Sequence, residues 1–188
     1  MESKKDIRKC ALAKRNCISK QEWEEKSRLI CEKVVTHPFF LDSDVIYCYV
    51  DYRNEVCTRG IIETAWKQSK KVAVPKVEGE YMNFYYIQSF TDLEEGYRGI
   101  LEPWKEHLAD VEENALVIMP GAAFDITCNR IGYGKGYYDK YLHVHPNYKT
   151  LALAFEFQMV EHIPSGEYDI CPNMIITEEN TYERQLTK

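Results

Sequence analysis

No stretch of this 188-residue chain approaches the ~18 to 20 consecutive apolar side chains that a membrane-spanning helix requires. The opening residues, MESKKDIRKC, also lack the apolar centre of a secretory signal. Both absences predict a protein with no membrane partner that stays where it is made. Cysteine pairing signals are missing too. Cys10, Cys17, Cys31, Cys48, Cys57, Cys128 and Cys171 form an odd set without a C-x-x-C pair, which argues against a complete disulfide framework and against a zinc ribbon. Reduced thiols in an unexported chain point to the cytoplasm. An excess of positive charge is likewise absent: 24 Lys plus Arg stand against 30 Asp plus Glu, a net of -6. Proteins that wrap a nucleic-acid backbone place many cations on phosphates, so no nucleic-acid partner is expected. A local basic pocket for a small anion stays open. With 9 Gly and 7 Pro, no internal repeat and no low-complexity tract, the composition is that of an ordinary folded protein.

What is present fits one domain over residues 1–188, expected as a monomer. The first thirty-five residues read as helix. Ile7, Cys10, Ala11 and Lys14 share one face, and Ser19-Lys20-Gln21-Glu22 has the form of a capping box opening a second helix through Trp23, Ile30, Cys31 and Val34. His37-Pro38 closes it. Strands are expected at Val45 to Val50, at Lys71 to Val74 with a stop at Pro75, at Met82 to Ile87, at Ala115 to Met119 and near Leu151 to Phe155. Thr58 can cap a helix carrying Ile61, Ile62, Ala65 and Trp66, and another helix is expected from about Tyr137. Asp92 to Trp104, with its turn residues, reads as irregular. Strands alternating with helices predict an α/β fold, three layers around a mostly parallel central sheet. In such folds ligands gather beyond the carboxyl ends of strands, which directs attention past Val50, Val74 and Met119.

The segment after Met119 carries the strongest chemical signal: MPGAAFDITCNRIGYGKGYYDKYL, residues 119–142. Gly132, Gly134 and Gly136 permit backbone conformations closed to other residues and let N–H groups converge on an anion. Arg130 and Lys135 add two cations, and a helix starting near Gly136 or Tyr137 aims its positive end at the same place. A glycine-rich turn with solvated cations is the plainer alternative. The spacing excludes a P-loop, which needs G-x-x-x-x-G-K-[ST]. It also fits poorly with a dinucleotide turn, since G-x-G-x-x-G is missing. Asp139, three residues past Gly136, stands where it can hold Mg2+ or merely face the helix dipole. Asp169 is a second candidate carboxylate.

This run closely resembles the signature of the 5-formyltetrahydrofolate cyclo-ligase family, also called methenyltetrahydrofolate synthetase. Four further stretches add to the resemblance in chain order: Lys4 with Arg8; Val50-Asp51-Tyr52-Arg53-Asn54-Glu55-Val56-Cys57-Thr58; Lys71-Val-Ala-Val-Pro75; and Gly99-Ile-Leu-Glu-Pro103.

The resemblance implies an ATP- and Mg2+-dependent conversion of 5-formyltetrahydrofolate to 5,10-methenyltetrahydrofolate, with ADP and phosphate released. It implies ATP at Lys4, Arg8, Arg130, Ile131, Gly132, Tyr133, Gly134, Lys135, Gly136, Tyr137 and Tyr138. It implies folate at Val50, Glu55 and Tyr133 through Tyr137, catalysis by Lys135 and Arg130, and metal at Asp139 and Asp169. Asn173 competes with Asp169 for the C-terminal metal position. Tyr52, Phe84, Trp104 and Tyr138 are candidate stacking rings, with a core role as the plainer reading of each. The chain departs from some relatives in having Arg98 where they have an aromatic residue, while Tyr133 stands where Arg or Tyr is usual. The alternatives are a non-catalytic nucleotide- or folate-binding regulator on the same scaffold, and a phosphosugar isomerase or CoA-transferase relative.

Overall fold

The structure, a computed structural model, describes residues 3–96, 99–104, 107–166 and 168–185. Arg98 lies outside the described residues. Among the described residues the α-helices are α1 (Lys4–Asn16), α2 (Lys20–Val35), α3 (Pro38–Asp42), α4 (Arg59–Lys67) and α5 (Tyr137–Val144). The strands are β1 (Val45–Cys48), β2 (Lys71–Glu78), β3 (Tyr81–Ile87), β4 (Leu93–Glu95), β5 (Leu101–Pro103), β6 (Ala115–Met119), β7 (Ala123–Asp125), β8 (Arg130–Ile131), β9 (Lys149–Leu153), β10 (Met159–Val160), β11 (Met174–Ile176) and β12 (Thr181–Glu183).

Seven of these strands form the main sheet, in the order β12-β11-β9-β6-β1-β2-β3. The five inner strands run parallel, and β3 and β12 close the edges antiparallel. β1 and β6 are buried at every position, which is why both read as unbroken apolar runs instead of alternating ones. One face carries α2, α3 and α4 through Ile30, Val34, Phe40, Ile61, Ile62 and Ala65. The other, on which Tyr47 stacks with Phe84 at 5.0 Å, meets α5 and β7 through Leu142, Tyr141 and Phe124. β1 pairs with β2 on one side and β6 on the other, so the chain leaves it in both directions across the sheet. In open α/β sheets such a reversal is where a ligand crevice forms, here at the carboxyl ends of β1 and β6.

The capping box at Ser19 and Glu22 is formed, and the helix after Gly136 starts at Tyr137. Several sequence expectations are corrected. Pro75 does not end β2, which continues to Glu78 opposite β3. β1 pairs with β2 only as far as Ala73, so the missing proline N–H costs no bond on that side. Thr58 precedes α4 without capping it by its side chain; its hydroxyl lies 2.9 Å from the Tyr49 carbonyl and 3.1 Å from Asp51 Oδ1. The stretch expected to be irregular holds the hairpin of β4 and β5. The inward stripe of α1 is Ile7, Ala11 and Arg15, while Cys10 and Lys14 face outward. All seven cysteines are unpaired. No helix among the described residues is long and apolar enough to cross a membrane.

A small sheet of β10, β7 and β8 packs beneath α1 through Ala123, Ile131 and Ile163. Asp125 organises its turn. The buried carboxylate accepts from the backbone N–H groups of Thr127 and Asn129, each at 3.0 Å, and of Ile163 at 2.9 Å. Burial opposes its charge, yet bonds from Asn129, Thr127 and Ile163 outweigh burial and hold its pKa below the usual aspartate range. A depressed folded-state pKa contributes stability above the unfolded value of about 3.9, lost as pH falls through the folded value. Asp125→Ala is therefore expected to cost about 2–4 kcal/mol at neutral pH, because three backbone donors, that of Ile163 fully buried, lose their acceptor. Denaturant unfolding at successively lower pH should show that difference shrinking below about pH 4.

Candidate functional site

At the carboxyl end of β1 the chain folds into a tight loop, residues 49–58, held from several directions. The Tyr49 hydroxyl donates to the Val56 carbonyl at 2.9 Å, and Asp51 Oδ1 accepts from the Thr58 N–H at 2.9 Å. The Trp23 ring N–H donates to the Glu55 carbonyl at 2.6 Å. These bonds fix Glu55 facing the crevice, 8% exposed. Its Oε2 accepts the Tyr52 N–H at 2.9 Å, and its Oε1 accepts the Tyr133 hydroxyl. Burial raises the Glu55 pKa, opposed by the Tyr133 bond, the Arg15 charge and the Tyr52 N–H, while Asp51 adds to the rise.

Tyr133 belongs to the glycine loop, which leaves the carboxyl end of β6 by way of β7 and β8. Gly134 and Gly136 have φ of +99° and +65°, in the region where a Cβ is strained. This backbone path turns the chain back over the crevice and into α5. Gly136 offers no side-chain cap, so the first N–H groups of α5 remain directed at the loop as donors for an anion. Arg130, 8% exposed, lies under the loop. Its guanidinium donates to the Pro120 carbonyl at 3.3 Å and to Asp139 Oδ1 at 2.9 Å, while its Nε is buried without a partner among the described residues.

The first helix supplies the other cations. The Arg8 Nε donates to the Gly132 carbonyl at 2.8 Å, and Lys4 pairs with Asp169. Burial works against the charge on Asp169, but Lys4 and the Gly166 N–H hold its pKa low. Lys135 is exposed and has no hydrogen-bond partner among the described residues.

The structure thus brings Lys4, Arg8, Arg130, Glu55, Tyr133, Asp139 and Asp169 around one crevice. Val50 is half-buried beside the Glu55 loop. The Ile131 side chain instead joins the α1 contact, leaving only its backbone to the loop. Tyr137 reaches the Gly79 carbonyl at 3.3 Å. The Tyr138 hydroxyl is buried without a partner among the described residues, its pKa raised first by burial and then by nearby Cys48 and Glu55. Of the candidate stacking rings, Phe84 is in the core beneath Tyr47 and cannot meet a ligand. Trp104 is half-exposed, its ring N–H donating to the Thr91 carbonyl at 3.0 Å. Asn173 faces away, with its Oδ1 accepting from the Thr150 N–H at 2.8 Å.

Arg15 is the residue that sequence reasoning missed. It lies about two turns beyond Arg8 and continues the buried stripe of Ile7 and Ala11, and its Nη1 donates to the Tyr133 hydroxyl at 2.6 Å.

The profile of the 5-formyltetrahydrofolate cyclo-ligase family matches residues 1–178. The chain belongs to that family. It is 32% identical to the 5-formyltetrahydrofolate cyclo-ligase of Mus musculus over 178 residues, covering 87% of each chain. It is 25% identical to that of Escherichia coli, over 90% of this chain and 97% of the relative. Among solved structures, 5,10-methenyltetrahydrofolate synthetase of Aquifex aeolicus superposes with a TM-score of 0.84 at 29% identity, covering 98% of this chain and 94% of the other.

The two loop cations should separate under mutation. Arg130→Met removes the Pro120 carbonyl's guanidinium donor and leaves Asp139 without its cation, with only the Ile170 N–H still bonded to it, at an expected cost of about 2–4 kcal/mol. Exposed Lys135→Ala should change stability by less than about 0.5 kcal/mol. Denaturant midpoints of the two variants check the difference.

Proposed function

We propose that this protein is an ATP-dependent 5-formyltetrahydrofolate cyclo-ligase, producing 5,10-methenyltetrahydrofolate, ADP and phosphate. The observation that carries this reading is the direct link between two unlike sites. A cationic glycine loop suited to a triphosphate contributes, through Tyr133, a hydrogen bond to a buried carboxylate suited to a pterin. Family membership over nearly the whole chain supports the same activity.

In this reading the triphosphate lies against the N–H groups of residues 132–138, with Lys4, Arg8 and Arg130 around it. Glu55 accepts hydrogen bonds from the amino and ring N–H donors of the pterin, and Val50 and Tyr133 to Tyr137 border the folate. The formyl oxygen attacks the γ-phosphorus and the bond to ADP breaks. N10 then adds to the activated formyl carbon and closes the ring, its proton passes to solvent, and phosphate departs with the former formyl oxygen. No protein nucleophile is needed. Rate comes from holding the weakly nucleophilic formyl oxygen in line and from neutralising charge on the transferring group. Lys135, unengaged among the described residues, follows the γ-phosphoryl group.

The residues also suit Mg2+, which commonly takes one or two carboxylates and fills its octahedron with phosphate oxygens and water. Asp139 uses only Oδ1 for Arg130 and the Ile170 N–H. Asp169 uses Oδ2 for Lys4 and the Gly166 N–H. Each keeps one oxygen without a hydrogen-bond partner among the described residues. Bound there, the ion supplies charge neutralisation at the phosphates. Among the described residues no group of three or more His, Cys, Asp or Glu side chains is placed to hold a metal ion.

The test is to mix the purified protein with Mg-ATP and 5-formyltetrahydrofolate and follow the absorbance of the methenyl product. Turnover is expected; ATP binding without turnover would favour a regulator. Lys135→Ala should lower turnover by about 100-fold. Glu55→Gln should raise the folate KM by roughly tenfold with little change in that for ATP, because an ionic acceptor is lost at one substrate only. The reverse order would remove Glu55 from the pterin.

A further inference from the structure

Arg15 has no place in the substrate contacts described above, yet it is among the most buried cations of the chain. Its side chain is 7% exposed and that of Glu55 10%, with Arg15 Nη1 3.9 Å from Glu55 Oε1. The Tyr133 hydroxyl lies between them, accepting from Nη1 and donating to Oε1. The direction of this relay is set by chemistry. A guanidinium only donates and a carboxylate only accepts, so the one hydroxyl proton must point at Glu55. Arg15 Nε is buried and unpartnered among the described residues. Leaving such a cation uncompensated in the interior is costly, which ties its presence to a negative charge nearby.

We propose that Arg15 is a positioning residue for the folate acceptor: from α1, through the Tyr133 hydroxyl, it holds the Glu55 carboxylate in place as the anion that receives the pterin donors. A carboxylate offers about four lone-pair sites. Tyr133 and the Tyr52 N–H occupy two, which leaves room for the paired N–H donors of a pterin. Among the described residues, the groups also coupled to Glu55 include Asp51 on its own loop, which disfavours its charge, and two neutral phenols, Tyr49 just past β1 and Tyr138 on α5. Arg15 and the Tyr133 bond oppose burial. With Arg15 gone, Glu55 holds its proton to higher pH, and a protonated acceptor loses the pterin.

The inference rests on the folate reading, and one experiment separates the two. Steady-state turnover of the full chain is measured between about pH 6 and 9 for the wild type, Arg15→Met, Arg15→Lys and Tyr133→Phe, with ATP and folate varied in turn. Arg15→Met is expected to raise the folate KM at neutral pH by roughly tenfold or more, the size of a lost ionic contact. The ATP KM should stay within about twofold. The acid limb of the folate KM profile should move to higher pH, so that the defect shrinks as pH rises. Arg15→Lys, which keeps the charge, should hold that limb near its wild-type position. Tyr133→Phe, which removes only the relaying hydroxyl, should move it in the same direction as Arg15→Met and stands as the test if Arg15→Met does not fold. An unmoved acid limb, or equal rises in both KM values, overturns the assignment of Arg15 alone. Absence of wild-type turnover overturns the folate reading beneath it.

Discussion

The site depends first on a single buried guanidinium. Arg130 joins the Pro120 carbonyl, just past β6, to Asp139 in the first turn of α5, and Asp139 in turn accepts the Ile170 N–H from the C-terminal segment. Three stretches of chain remote from one another are fixed to one cation. Its burial beneath the glycine loop makes the arrangement demanding, since an interior charge must be surrounded by acceptors or destabilise the fold. It also supplies positive potential directly below the N–H groups that an anion would meet.

The parallel sheet determines where this happens. Reversal of the chain at β1 leaves a crevice between the ends of β1 and β6, and both loops that carry chemistry leave from those ends. The N-terminal helix is laid across the small sheet by Ile7 and Ala11. That packing places Lys4, Arg8 and Arg15 in a row, meeting Asp169, the Gly132 carbonyl and the Tyr133 hydroxyl in turn. A chain with net negative charge therefore concentrates cations at one place.

Much of this was legible in the sequence where the signal is local. Unbroken apolar runs marked β1 and β6, Ser19 with Glu22 marked a helix start, and the alternate glycines with their flanking cations marked the loop. Failures came where a distant partner decides. Pro75 reads as a strand end, yet β1 stops short of it. Thr58 reads as a cap, yet Asp51 and Tyr49 claim its hydroxyl. For Phe84 the plainer core reading holds, since it packs with Tyr47. Arg15 meets residues 40 and 118 positions away, and spacing along a helix identifies a stripe without saying what faces it. Continuing the stripe beyond Ile7 and Ala11 was the one available signal.

The central claim is that the loop from Arg130 to Asp139 grips a triphosphate beside a pterin held by Glu55. A crystal structure with magnesium, a non-hydrolysable ATP analogue and 5-formyltetrahydrofolate tests it most directly. The account predicts the terminal phosphate against the N–H groups of residues 132–138 and the formyl oxygen in line with it, with the pterin donors on Glu55. Phosphates seated away from that loop, or a pterin bound elsewhere with Glu55 still contacted only by Tyr133, Tyr52 and Arg15, would contradict it.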